Sequence, residues 1–391
     1  MNWRENWKKI LLRSVSYVLV AALASLGTML LFGQNTKLVE LERVIRNRFV
    51  GQVDTVAMED AAAEAMVNAL GDRWSYYISA EDYAAYEDRK TNTYVGIGIT
   101  ILQREDGTGF DILAVQKGSS AEKAGVLPGD ILIEAQGQSV TGMDSDGPAQ
   151  IIKGEEGTKV TIAVLRDGER LTFEMKRMRV DSVVATGEML ENNVGYIRIN
   201  NFNDHCAKET LETLEQLLEQ GAEKLVFDVR NNPGGYVMEM NEILDYLLPE
   251  GDLFRSVRYD GEEEVDTSDA KCLEMPMAVL VDSGSYSAAE FFAAALQEYD
   301  WAVVVGEPTT GKGYFQNTFR FHDGSAVGLS VGQYYTPNGV SLAETGGLIP
   351  DAVVEVDDLY QKMLSLTSHT LHSNRPLGIV SDIPWIAPAC Y

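Results

Sequence analysis

Three short stretches of the chain hold residue types that can do covalent chemistry: Asn231–Gly235, Gly284–Glu290 and Gly306–Gln316. The second reads G-S-Y-S-A-A-E and the third G-E-P-T-T-G-K-G-Y-F-Q. Ser287 supplies a hydroxyl at the start of an apolar run, Lys312 an amine between two glycines, and Gln316 an amide four residues further on. A serine hydroxyl needs a base to become a nucleophile. An amine serves as that base only when uncharged, so its pKa must fall from about 10.4 towards 7–8, which burial in an apolar site favours. Gln316 shares a side with Lys312 in helix or strand, and its amide oxygen could accept a hydrogen bond from the amine. The glycines of Asn231-Asn232-Pro233-Gly234-Gly235 offer backbone N–H groups for an oxyanion hole.

Each stretch also has a plainer reading. Ser287-x-x-Glu290 before an apolar run is a capping box. That does not compete with catalysis, because a helix N-terminus favours developing negative charge. Asn, Pro and Gly at 231–235 equally make an ordinary turn. Gly306–Lys312 fits G-x-x-x-x-G-K, yet Gly313 stands where a phosphate-binding loop needs Ser or Thr, and Tyr314–Phe321 alternates like a strand where a helix should follow. His205, His322, His369 and His372 lack a triad context, and neither G-x-S-x-G nor H-E-x-x-H occurs. No metal is expected.

The elements that must position these residues follow from periodicity. From about residue 181, strands and helices alternate: strand Val194–Ile199, helix Ala207–Gln220, strand Lys224–Val229, helix Tyr236–Leu248, strand Met277–Val281, helix Ala288–Tyr299 and strand Trp301–Val305. Val-rich runs alternating with helices predict an α/β core. Gly324–Val331 and Gly332–Thr336 extend it as two further strands. Residues 37–90 have helical spacing, broken at Gly71-Asp72, and read as a packing module. Between them, 93–179 is strand-rich and punctuated by glycine, with short helical patterns near Ala121–Ala124 and Gly147–Lys153. Its Tyr94-Val-Gly-Ile-Gly-Ile99 and Ser120-Ala-Glu-Lys-Ala-Gly-Val-Leu-Pro-Gly-Asp130 runs resemble a PDZ domain. That resemblance implies that the loop at Gly96, Ile97, Gly98 and Ile99 offers backbone N–H groups to a peptide's terminal carboxylate, the peptide pairing along a sheet edge.

At 391 residues the chain suits two or three domains. The divisions expected are 1–36, a cytoplasmic tip and transmembrane anchor; 37–92, helical; 93–179, PDZ; 180–357, the α/β core; and 358–391, a tail. A formal net charge of −27 argues against nucleic-acid binding. Val15–Phe32 is almost wholly apolar or small, and Arg4, Lys8, Lys9 and Arg13 precede it. About 20 residues at 1.5 Å each span a bilayer core. A signal peptide is the rival reading, but the A-x-A match at Ala22–Ala24 falls in mid-run. The basic flank predicts a single-pass membrane protein with its N-terminus cytoplasmic and the rest outside. Cys206, Cys272 and Cys390 suggest neither a zinc ribbon nor a disulfide framework.

Asp228-Val-Arg-Asn-Asn-Pro-Gly-Gly235, the Ser287–Glu290 segment and Gly311-Lys-Gly-Tyr-Phe-Gln316 together resemble the carboxyl-terminal processing (tail-specific) peptidases, whose Ser-to-Lys spacing of 25 is reproduced. The resemblance covers about residues 37–356, with Gly71–Tyr77 and Gly347–Asp351 included. It implies a crotonase/ClpP-like protease core, Ser287 as nucleophile, Lys312 as general base, Gln316 as its orienting partner, and Ala288 and Gly234 N–H as oxyanion donors, with Gly235 a further candidate. Two departures stand out: Ala289 occupies the place of a second serine, and Asp282 that of an asparagine. The function implied is a membrane-anchored, extracytoplasmic serine endopeptidase that takes substrates by their free C-termini and needs no cofactor. A homodimer through residues 37–90 is a further expectation. Two alternatives remain, a catalytically inactive PDZ scaffold and a crotonase-type acyl-CoA enzyme.

Overall fold

The computed structural model describes residues 15–17, 19, 36–104, 106–144 and 147–354. The chain divides at Leu70 into two compact units. In the first, helices α1 (Thr36–Arg48) and α2 (Thr55–Asn68) match the helical spacing of that region. Asp54 caps α2 by accepting the Ala57 N–H.

One expectation is corrected here. Among the described residues no helix is long and apolar enough to cross a membrane. The longest described helices have 14 residues, about 21 Å at 1.5 Å per residue against a hydrocarbon core of about 30 Å. The transmembrane helix is therefore removed from the fold class. The apolar run on which it rested lies, but for residues 15–17 and 19, outside the described residues, as do the tail and Cys390.

The second unit opens with strand β1 (Tyr76–Ile78) and helix α3 (Tyr83–Lys90). Strand β2 (Thr93–Gly96) follows. Next come β3 (Ile99–Gln103), β4 (Phe110–Val115), α4 (Ser120–Ala124), β5 (Ile131–Ala135), β6 (Gln138–Ser139), α5 (Gly147–Ile152), β7 (Lys159–Arg166), β8 (Glu169–Lys176) and β9 (Met178–Asp181). The Tyr94–Leu102 run, readable as one strand, is two. Gly98 at φ 78 breaks it, and β2 pairs with β9 in a separate ribbon while β3 starts the main sheet β3-β4-β5-β7-β8. Ile97, Phe110, Ile112, Leu132, Val160 and Ile162 fill the core of this module.

The α/β core runs β10 (Ala185–Leu190), β11 (Val194–Ile199), α6 (Cys206–Glu219), β12 (Lys224–Asp228), α7 (Val237–Leu247), β13 (Gly251–Arg258), β14 (Glu263–Ser268), β15 (Met277–Val281), α8 (Ala288–Glu298), β16 (Ala302–Gly306), β17 (Tyr314–Arg320), β18 (Ala326–Tyr335), α9 (Leu342–Thr345) and β19 (Ala352–Val353). Its main sheet has the order β10-β11-β12-β15-β16-β19, parallel apart from the β10–β11 edge. Strand side chains alternate between faces. Phe227, Met277, Val279 and Val281 meet α6, α7 and α8, while Val226, Ala278, Leu280 and Val303 form a smaller cluster on the reverse face. Burying each such side chain stabilises the fold by about 1.5–3 kcal/mol. Helix α8 is buried from Ala288 to Leu296, as expected of a helix apolar all round. Phe292 anchors it against Phe202 and Phe227, with ring centroids at 5.5 and 5.6 Å.

The second sheet differs from expectation. Gly324–Val331 and Gly332–Thr336 form one strand, β18, because Gly332 stays in register with both Phe315 and Arg258. β18 also pairs with β1, which ties the segment before the β2–β9 module into the core.

Candidate active site

The loop from β15 to α8 places Ser287 at the helix start, with φ 59 and ψ −128. A positive φ is rare for a residue other than glycine and is a recurrent form of strain at reactive positions. Ser287 N–H donates to Glu290 Oε2 at 2.9 Å, so the Glu290 half of the capping box is present and the plainer reading of S-x-x-E holds alongside any chemistry.

Glu290 does more than cap. Its carboxylate is fully buried. Oε2 also accepts the Lys312 N–H at 2.8 Å, and Oε1 the Gly311 N–H at 2.7 Å and the Thr309 hydroxyl. One side chain therefore fastens the segment bearing the serine to the segment bearing the lysine. These bonds also dispose of the phosphate-loop reading: the amides of Gly311 and Lys312 are already occupied, and β17 follows where a helix would be needed. Gly311, at φ 81, makes the turn possible and lets the backbone lie against Gly346 and Gly347.

The Lys312 amine lies 5.0 Å from the Trp74 ring centroid and 5.6 Å from that of Tyr286, two rings stacked on one another at 6.1 Å. Among the described residues it has neither a hydrogen-bond acceptor nor an ion-pair partner. Burial chiefly, then the nearby charge of Lys90, brings its pKa down to about 8 against the opposing influence of Glu290 and Asp72. A desolvated amine near a second cation is the arrangement that makes a lysine basic at near-neutral pH. Trp74, Asp72 and Lys90 were missed as contributors by the sequence, which gave residues 37–90 only a packing role. The sequence signal available for Trp74 was its place in Gly71–Tyr77, ahead of the PDZ module.

Gln316 is placed otherwise than expected. Its amide nitrogen donates to Tyr314 O and Ser330 Oγ, each at 3.1 Å, and among the described residues no hydrogen bond joins it to Lys312. A register shift between Phe315 and Gln316 accompanies this, so the simple alternation along β17 is broken between the lysine and the glutamine. Of the histidines, His205 precedes α6 near Ser182 and Glu209, and His322 is exposed.

Asn231–Gly235 meets the start of α8. A Cβ added to Gly234, at φ 80, would lie 2.7 Å from Tyr286 O and 2.8 Å from Ala288 N. The Gly234 N–H donates to Asn232 Oδ1 at 2.8 Å and is thereby taken. The N–H groups of Ala288 and Gly235 have no acceptor among the described residues, and they are the donors left to meet an oxyanion. Behind this loop Asp228 is buried. Burial pushes its pKa up, but Arg230, Arg198 and Tyr196 outweigh that and hold it at about 2. Cys206 and Cys272 are free thiols.

In the β2–β9 module, Ile97 is buried, and the Ile97 and Gly98 carbonyls accept from Ala121 and Gln116. This folds the Gly96–Ile99 loop back on α4. β3 has β4 on one side only and is an edge strand.

Residues 193–354 match the model of peptidase family S41, and 112–166 that of the PDZ domain. The chain is 31% identical to the carboxy-terminal processing protease CtpA of Bacillus subtilis over 347 residues, which is 88% of this chain and 73% of that protein. It is 32% identical to the carboxyl-terminal-processing protease of Synechocystis sp., with 75% and 70% covered. The chain belongs to this family of S41 carboxy-terminal processing proteases. It is a serine-type peptidase with a PDZ domain. A solved structure described as a putative S41 protease from Bacteroides fragilis has a TM-score of 0.51 at 19% identity, covering 79% of this chain and 87% of that one, and shares the fold. Ser287 at a positive backbone φ, a Lys312 amine without a counter-ion, and free N–H groups on Ala288 at the start of α8 and on Gly235 in the loop before α7 are the groups this site offers for catalysis.

Proposed function

We propose that this protease cleaves peptide bonds with a Ser287–Lys312 dyad and selects substrates by their free C-termini. The observation that carries the dyad is the Lys312 amine, half-buried without a counter-ion and brought to about 8, on a segment that Glu290 fastens to Ser287. In this reading Ser287 Oγ attacks the scissile carbonyl while Lys312 takes its proton. The oxyanion is met by the N–H groups of Ala288 and Gly235. Lys312 then hands the proton to the leaving amine, and a water activated by the same amine releases the acyl group. Gln316 acts in this scheme through β17, with its amide nitrogen on Ser330 and Tyr314, and not through a bond to the amine.

The free edge of β3 beside the Gly96–Ile99 loop supports recognition of an extended peptide end by strand addition. Exposed Leu38, Leu41 and Val44 on α1 support pairing with a second copy. The basic residues ahead of the apolar run support a catalytic unit outside the cytoplasm. Sedimentation and a reporter fusion active only after export test these two points.

The discriminating experiment is cleavage of one peptide with either a free or an amidated C-terminus. The free form should be cleaved at least tenfold faster, and Ser287→Ala should cleave neither. Equal rates for the two forms would remove the C-terminal selection and leave the dyad standing.

A further inference from the structure

Two loops meet at this site, one after β12 and one after β15, and both hold a non-glycine residue at positive φ: Asn231 at 55° and Ser287 at 59°. Such conformations persist only where the surroundings over-determine them. The side chain that joins the loops is Asp282, 1% exposed. Its Oδ1 accepts the Asn231 N–H at 2.8 Å and the Gly284 N–H at 3.0 Å. One oxygen thus pins the start of the oxyanion loop to the loop of the nucleophile. Ser285 completes the clasp, its hydroxyl accepting from the Asp282 amide at 3.0 Å and sharing its one proton between Val229 O at 2.7 Å and Asp282 Oδ1 at 3.2 Å.

The other oxygen, Oδ2, is buried without a hydrogen-bond partner. A buried carboxylate oxygen that meets neither donor nor cation is costly, and taking up a proton removes the charge at a much smaller cost. The charged group bearing on it is Asp228, a second carboxylate, on which Arg230 and Arg198 converge. Burial chiefly, with Asp228 repulsion, raises Asp282 above the ordinary carboxylate value despite the bonds from Asn231, Ser285 and Gly284.

We propose that Asp282 is a positioning residue that works as an uncharged acid, Oδ1 fastening the oxyanion loop to the nucleophile loop and Oδ2 carrying the proton. Its effect on turnover rests on the Ser287–Lys312 reading, whereas its protonation does not. An amide in its place would present the same Oδ1 acceptor and no ionisation, so Asp282→Asn should preserve the clasp and Asp282→Ala should release it.

The test compares both variants with the wild-type chain as pH is raised from the ordinary carboxylate range of about 4. Infrared difference spectroscopy should find the carbonyl band of a protonated carboxylic acid in the wild type that Asp282→Asn lacks. Asp282→Asn should keep kcat within about threefold, while Asp282→Ala loses about 10- to 100-fold in kcat with KM little changed, the scale of a small misplacement of reacting groups. An acid whose folded pKa is raised contributes stability that is lost as pH rises towards that value. Wild-type melting should therefore fall relative to Asp282→Asn as pH is raised. Absence of the acid band in the wild type, or an Asp282→Asn variant as impaired as Asp282→Ala, would overturn the proposal. Should Asp282→Ala not fold, the band and the Asn variant still decide. Were the dyad reading wrong, the kinetic differences would vanish while the band and the pH-dependent melting remained readable.

Discussion

The backbone amides of Ser287 and Lys312 donate to the same carboxylate oxygen, Glu290 Oε2, at 2.9 and 2.8 Å. The proposed nucleophile and the proposed base come from different loops, and a buried anion rather than a direct side-chain bond sets their relative position. That anion also stands close enough to raise the Lys312 pKa, so it works against burial and Lys90. Positioning and basicity are therefore set by opposing contributions.

Removing Glu290 should uncouple the two loops. Glu290→Ala leaves three amides and the Thr309 hydroxyl without their acceptor in a buried site. Losing one member of such a network costs about 3–5 kcal/mol, and misplacement of reacting groups about 10²-fold in kcat. Urea unfolding and peptide cleavage measure the two effects. Glu290→Gln, which keeps one acceptor oxygen, should fall between.

The pH dependence of activity follows from Lys312. Because the amine must be uncharged to act as base, kcat/KM should rise through about pH 8 and level off. The stability effect has the opposite bearing. A lysine whose folded pKa is lowered binds its proton better in the unfolded chain, so its penalty is present at neutral pH and disappears as pH rises from the folded towards the unfolded value. Lys312→Met should therefore be inactive yet more stable at neutral pH, by at most about 3 kcal/mol. Thermal melts across pH check this.

Trp74 and Lys90 set the surroundings of the Lys312 amine, the proposed base, from outside the core sheet. Trp74→Ala admits water to the amine, and Lys90→Met removes the second cation; both should shift the rise in kcat/KM to higher pH. Lys90→Arg keeps the charge and should restore the original profile. A variant that lowered activity equally at every pH would indicate lost packing instead.

Gly234 has no room for a side chain against the start of α8. Gly234→Ala would bring a methyl group within 2.8 Å of Ala288 N and Tyr286 O, at φ 80. Displacing the oxyanion donors should cost about 10²–10³ in kcat, with substrate binding to the PDZ module, measured by fluorescence polarisation, unchanged.

The parallel strands were legible in the sequence because β12, β15 and β16 are runs of apolar, mostly Val-rich residues buried on both faces. The start of α8 was legible from a capping signature that does not depend on tertiary contacts. What stayed hidden depends on long-range pairing. β14 reads E-E-V-D-T-S, with burial only at its end, so no alternation marks it. Gln316 looks aligned with Lys312 until pairing with β18 shifts the register. Trp74 meets Lys312 only because β1 joins β18, and no local spacing encodes that. The apolar run near the N-terminus met the length rule for a membrane span, yet length and hydropathy supplied no tertiary context, and the described helices do not include such a span.

The most direct test is the rate at which a fluorophosphonate acylates Ser287, followed by mass spectrometry from pH 6 to pH 10 in the wild type and in Lys312→Ala. The wild type should show a single ionisation near pH 8, and the variant should label at least 100-fold more slowly without that ionisation. Labelling of Lys312→Ala at close to the wild-type rate, with the same pH dependence, would contradict a lysine base.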